Sequence, residues 1–185
     1  MHLARHLGFH ALLVLLVLAL FAAADSWYTL TGLDLAMGLS VVTGLLAGAA
    51  IPTLVHEWFH YLGAKVSGGA YTITQKLGLF VYDWDFKTNN TTQFFTMSLG
   101  GTLGSLIAIY ALFAALPADS AGRASLLAAS VASLGFAGAI EWPVLVRTRR
   151  SGNPLAELSK IDLGVLRRSA AVGGIVGLLT YNLIY

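Results

Sequence analysis

Five consecutive residues, His56-Glu57-Trp58-Phe59-His60, carry the most specific chemistry in the chain. Residues four apart share one face of a helix. The two imidazoles can therefore grip a single cation, while Glu57, offset by about 100°, can reach a water beside it. This is the HExxH arrangement of zinc hydrolases, with two neutral imidazole ligands and a carboxylate that acts as general base. With 5 His and three of the 9 acidic residues being Glu, a chance match arises roughly once in 500 sequences of this composition. His56 and His60 thus read as metal ligands, Glu57 as the catalytic base and Zn2+ as the cofactor. The plainer reading is a polar cluster hydrogen-bonded between helices, with His60 satisfied by water near an interface.

A zinc site that keeps one position open needs a third protein ligand. His2, His6 and His10 are the remaining histidines. They open the first apolar stretch and read as an edge that contacts headgroups. Among the acidic residues only Glu57 and Glu141 fall inside apolar spans. Glu141 lies six residues before Arg147, and His60 five before Lys65. A rise of 1.5 Å per residue puts both sites at a similar depth, roughly 8–14 Å inside one membrane boundary. Glu141 is the expected third ligand. Asp162, in Lys160-Ile161-Asp162-Leu163-Gly164, is the runner-up, and Glu157 ranks behind both.

The elements that must hold these groups follow from composition. The 185 residues are 57% hydrophobic and 11% charged, against about 25% charged in a soluble domain. That excludes an ordinary soluble fold and a disordered tail. Zero Cys excludes disulfides, thiolate metal sites and a Cys nucleophile. A transmembrane helix takes about 20 apolar residues, and charged residues divide the chain into five such stretches, 7–24, 36–64, 94–116, 124–146 and 169–185. Pro52 breaks the second, and Pro143 loosens the fourth just past Glu141. The expected fold is an all-α polytopic membrane protein, a single membrane domain over 1–185. Ionisable residues inside lipid each cost roughly 2.5–3.5 kcal/mol, so three within five residues call for a role.

With the N-terminus cytoplasmic, ten of the 11 basic residues fall on the cytoplasmic side and only Arg123 outside, as the positive-inside rule requires. A bacterial inner membrane is the expected location. The first stretch reads as a retained helix; the rival reading is a cleavable signal peptide ending at Ala22-Ala23-Ala24. Between the second and third spans, 68–92 is rich in β-branched and aromatic residues, with a possible turn at Lys76-Leu77-Gly78. It reads as a small β-hairpin at the membrane surface or, equally, as an interfacial loop anchored by Tyr82 and Trp84. The basic segment 147–168, turning at Gly152-Asn153-Pro154, lies along an anionic leaflet. Gly100-Gly101-Thr102-Leu103-Gly104 and Gly173-Gly174-Ile175-Val176-Gly177 are spaced for close helix approach. No glycine-rich phosphate cradle is present, and no nucleic-acid partner is expected.

These residues resemble the site-2 protease family, the intramembrane zinc metalloproteases. The resemblance covers about 110 residues, from the second span to the fourth. It rests on His56-Glu57-x-x-His60 in a membrane helix, on the 70–86 segment where that family has a membrane-associated β-segment, and on the Gly100–Gly104 run. The family's last ligand is usually Asp in a Leu-Asp-Gly context, where this chain offers Glu141. The third span lacks the family's usual Pro and Asn. The resemblance implies cleavage of peptide bonds in or near transmembrane segments of membrane-anchored proteins. The alternative is a non-proteolytic, metalloprotease-like subunit of a larger membrane complex. A metal-dependent transporter is a weaker third, since no polar trail leads from the cluster to the far side.

Overall fold

Each apolar stretch forms a helix longer than its hydrophobic core. The computed structural model describes residues 2–185. Its elements run α1 (His2–Thr31), α2 (Asp34–Val66), β1 (Tyr71–Ile73), β2 (Tyr82–Trp84), α3 (Thr91–Ala115), α4 (Ala121–Ser151), α5 (Pro154–Leu158) and α6 (Leu163–Ile184). Five of these helices are long and apolar enough to cross a membrane, and the protein is an all-α membrane protein with one small antiparallel hairpin. Strands β1 and β2 pair Tyr71 with Trp84 and Ile73 with Tyr82. The paired part of 68–92 is thus shorter than the aromatic runs suggested.

Local chemistry sets the helix ends. Asn90 and Gln93 form a reciprocal capping box at the start of α3. Gly152 ends α4 in the left-handed region at φ 67°, which suits a residue without a side chain. Asn153 and Pro154 then start α5, so the expected turn is followed by a short helix. Asp162 caps α6, which begins six residues earlier than the apolar run did and carries Arg167 and Arg168 on its first turns. Pro52 does not break α2. It lies fully buried inside a continuous helix, where tertiary packing compensates for the one missing N–H. Pro143 likewise sits inside an unbroken α4.

Helix α2 is the centre of the bundle, packed on α1, α3 and α4, while α6 leans on α4. Gly48 lets α2 lie directly against the backbone of α4 at Leu126. Gly173 and Gly177 of the second small-residue run do the same for α6 at Ala132. One core cluster gathers Phe21, Ala47, Ile51, Leu126 and Leu127. Another gathers Ala64, Phe94, Met97, Val144 and Leu145, with Tyr71, Tyr82 and Trp84 of the hairpin packed on it. The outward faces are apolar, Leu12, Leu15 and Leu16 of α1 among them, as lipid contact requires. At one end of the bundle, Asp25 of α1 takes hydrogen bonds from Ser40, Ser120 and Arg123. The hairpin lies at the opposite end, with the ends of α2 and α4 and the starts of α1, α3 and α6.

Candidate functional site

His56 and His60 stand one turn apart on α2, their rings in edge contact at 4.3 Å. Both aim Nε2 at one carboxylate oxygen: Glu141 Oε1 of α4 lies 2.7 Å from His56 and 3.3 Å from His60. The opposite ring nitrogens are held from α3. His56 Nδ1 meets the Ser105 hydroxyl at 3.0 Å, and His60 Nδ1 meets the Met97 carbonyl at 3.0 Å. A carbonyl only accepts, so His60 carries its proton on Nδ1 and, when neutral, turns a lone pair toward Glu141. Two acceptors facing each other across 3.3 Å need a proton or a cation between them. Glu141 Oε2 is buried with no hydrogen-bond partner among the described residues. The ligating atoms of His56, Glu57 and His60 all lie within 4.8 Å of one another.

The first small-residue run explains how α3 comes so close. A Cβ on Gly101 would meet His60 Cε1, and would sit 2.5 Å from His60 Nε2 and 2.7 Å from His56 Cε1. Gly100 abuts the Phe59 carbonyl and Gly104 the Phe59 ring. Bare helix backbone thus forms one wall of the site.

Two imidazole nitrogens and one carboxylate oxygen make a donor set that suits zinc, as in catalytic sites with a fourth position open. Two ligands on one ion lie roughly 3.4 Å apart when each bond is about 2.1 Å. The His60–Glu141 separation matches that, and the His56–Glu141 contact is a direct hydrogen bond. The hydrogen bonds to Ser105 and Met97 are of the kind that would orient the two imidazoles as ligands.

A cavity of about 130 Å³ opens beside His60 and Glu141, lined also by Ser98, Met97, Phe94 and Phe86. It has room for a few waters, each taking about 30 Å³. Over the site lies the hairpin. Tyr61 of α2 meets Tyr71 and Tyr82 in an aromatic triad. The Tyr82 hydroxyl is pushed up by burial and then by the negative charges of Glu57 and Glu141, so it remains a phenol, a hydrogen-bond donor.

Of the residues singled out from the sequence, His56, Glu57, His60 and Glu141 come together. Asp162 does not join them: its carboxylate accepts from the Val165 N–H at 2.8 Å and is exposed. Glu157 is occupied by Arg147 at 3.1 Å and Lys160 at 2.7 Å. His6 and His10 are not a headgroup-contacting edge. Both are buried, because the hairpin folds back over them. His6 Nε2 meets the Thr74 carbonyl at 3.1 Å, and His10 Nε2 meets the Gly78 carbonyl at 2.8 Å. Trp58, inside the HExxH motif, donates its indole N–H to His10 Nδ1 at 3.0 Å. That fixes the tautomer: His10 holds its proton on Nε2 and gives it to Gly78. Sequence reasoning missed this link from α2 through α1 to the hairpin, although His6 and His10 share the four-residue spacing of the motif itself. Comparison of the chain with protein-family models, with curated proteins and with solved structures finds no match.

Proposed function

We propose that the protein is an intramembrane zinc metalloprotease that cleaves peptide bonds in or near the transmembrane segments of membrane-anchored proteins. One observation carries the reading: two imidazole Nε2 atoms converge on the single oxygen of Glu141, with Glu57 beside them. His56, His60 and Glu141 would hold the metal. A zinc ion supplies Lewis acidity, polarising a carbonyl and acidifying a water. Glu57, not needed as a ligand, would accept a proton from a water as its oxygen bonds to the scissile carbonyl carbon, and would give that proton to the amine nitrogen as the C–N bond breaks. Ser105 and the Met97 carbonyl keep both rings in the productive orientation.

A helical substrate hides its carbonyls in its own hydrogen bonds, so it must be drawn out straight before it can react. The outer edges of the two-stranded hairpin are suited to hold such a strand by backbone pairing. Phe86 lines the cavity from the loop after β2, so a shift of the hairpin would widen the entry. With basic residues at the hairpin end, that end faces the cytoplasm, and a bacterial inner membrane fits.

The experiment is metal analysis beside cleavage of a co-expressed membrane-anchored substrate. Wild type is expected to carry about one zinc per chain, Glu141→Ala to lose it, and Glu57→Gln to keep it while losing cleavage. Cleavage that survives Glu57→Gln refutes the mechanism, and unchanged zinc in Glu141→Ala removes Glu141 from the site. The other reading, a non-proteolytic subunit of a larger membrane complex, requires stable partners whose joint activity is unaffected by Glu57→Gln.

A further inference from the structure

A second cleft opens between α4 and α6 at the hairpin end of the bundle, with a volume of about 280 Å³. Arg147 and Arg168 stand in its walls together with apolar Ile140, Pro143 and Val172. Its charge is unbalanced. Glu157 takes hydrogen bonds from both Arg147 and Lys160, so one carboxylate serves two cations. Arg168 pairs with no carboxylate among the described residues. The lining of the cleft thus holds two guanidiniums and no carboxylate, and only Arg147 reaches one just outside it.

We propose that this cleft binds the headgroup of an anionic phospholipid. The guanidiniums of Arg147 and Arg168 take the phosphodiester, which suits their forked donors. An acyl chain runs along Ile140 and Val172. Val172 is exposed on the outward face of α6, so the cleft continues onto the surface where lipid lies. Free phosphate would leave that apolar half unused, and a zwitterionic headgroup would bring a cation of its own into an already basic pocket. Basic pockets between membrane helices are recognised headgroup sites. Ile140 lines both this cleft and the cavity beside His60, which puts the lipid one residue from Glu141. The proposal does not depend on metal or on proteolysis.

The test is native mass spectrometry of the full chain in neutral detergent. Phosphatidylglycerol and phosphatidylcholine of identical acyl chains are titrated singly, with inorganic phosphate as competitor. Arg168→Gln is compared with Arg149→Gln, which removes the same charge from an exposed position outside the cleft. Wild type is expected to retain phosphatidylglycerol about tenfold more tightly. Arg168→Gln should lose most of that preference and Arg149→Gln should keep it. Equal losses in the two variants would mean diffuse surface charge and overturn the site. So would equal retention of the two lipids, or displacement of phosphatidylglycerol by millimolar phosphate.

Discussion

Replacing Gly101 by alanine adds one methyl group where α3 meets both imidazoles. Its carbon would lie 2.5 Å from His60 Nε2 and 2.7 Å from His56 Cε1, well inside van der Waals contact. The rings cannot yield freely, because Ser105 and the Met97 carbonyl hold their far nitrogens. Overpacking of this kind costs about 1–3 kcal/mol. Alanine also gains about 1 kcal/mol over glycine inside a helix, which would hide part of the cost. Gly174 supplies the reference. It too is a glycine inside a long apolar helix, and nothing lies within 4 Å of the methyl it would gain. The helix term cancels between the two variants. Gly101→Ala should therefore be less stable than Gly174→Ala by about 1–3 kcal/mol, a difference of roughly 5- to 150-fold in the folding equilibrium. Denaturant unfolding in mixed micelles measures the difference. A chelator competition at matched folded fraction then shows whether zinc affinity falls with it. Equal stability of the two variants, with equal affinity, would refute the close approach of α3 to the site.

Three other outcomes follow from contacts already described. Ser105→Ala removes the partner of His56 Nδ1 and should lower metal affinity about 10- to 100-fold, read by competition with a chelator. Trp58→Phe removes the donor to His10. Losing one net hydrogen bond of about 1 kcal/mol should speed hydrogen exchange of the Thr74 amide, which donates to the Val81 carbonyl, several-fold and leave α3 and α4 unchanged; unchanged exchange at Thr74 would show that the indole does not hold the hairpin. The Lys160 ammonium holds the Glu157 carboxyl below its ordinary 4.5, with help from Ser151 and Arg147 and against burial. A depressed folded value stabilises the fold above the unfolded pKa, and that stability is lost as pH falls through the folded value. Protection of the α5 amides should therefore begin to fall as pH drops through about 4.5, and Lys160→Met, by bringing the folded value closer to the unfolded one, should shrink that acid-dependent loss; a loss unchanged by the substitution would refute the pairing.

That His56, Glu57, His60 and Glu141 would cluster could be read from the chain because lipid makes charge expensive. Glu57 and Glu141 were conspicuous in apolar runs, and counting residues to the nearest basic boundary placed them at one depth, where the structure joins Glu141 to both imidazoles. The five spans followed from the same contrast between apolar runs and charge. The partners of His6 and His10 could not be read so, because they are the backbone carbonyls of Thr74 and Gly78, a group every residue possesses. Helix ends were misplaced where capping outlasted hydrophobicity. Asp162 starts α6 ahead of two arginines, and a hydropathy reading stops at those charges. Pro52 misled for the opposite reason: a local rule about one missing donor gave way to a fully buried position in the bundle.

Helix α1 is fastened at both extremities. Asp25 binds Arg123 of α4 and the capping Ser120 just before it at one, and His6 and His10 bind the hairpin loop at the other. Both anchorages must face the bundle at once, so the stretch between them behaves as a keyed shaft. One residue inserted between Ala11 and Phe21 would turn one anchorage by about 100° relative to the other and lengthen the shaft by about 1.5 Å. Only additions of whole turns, near seven residues, restore the phase. The spacing of these polar groups is thus a ruler: the fifteen residues from His10 to Asp25 set about 22 Å of helix between the two anchorages.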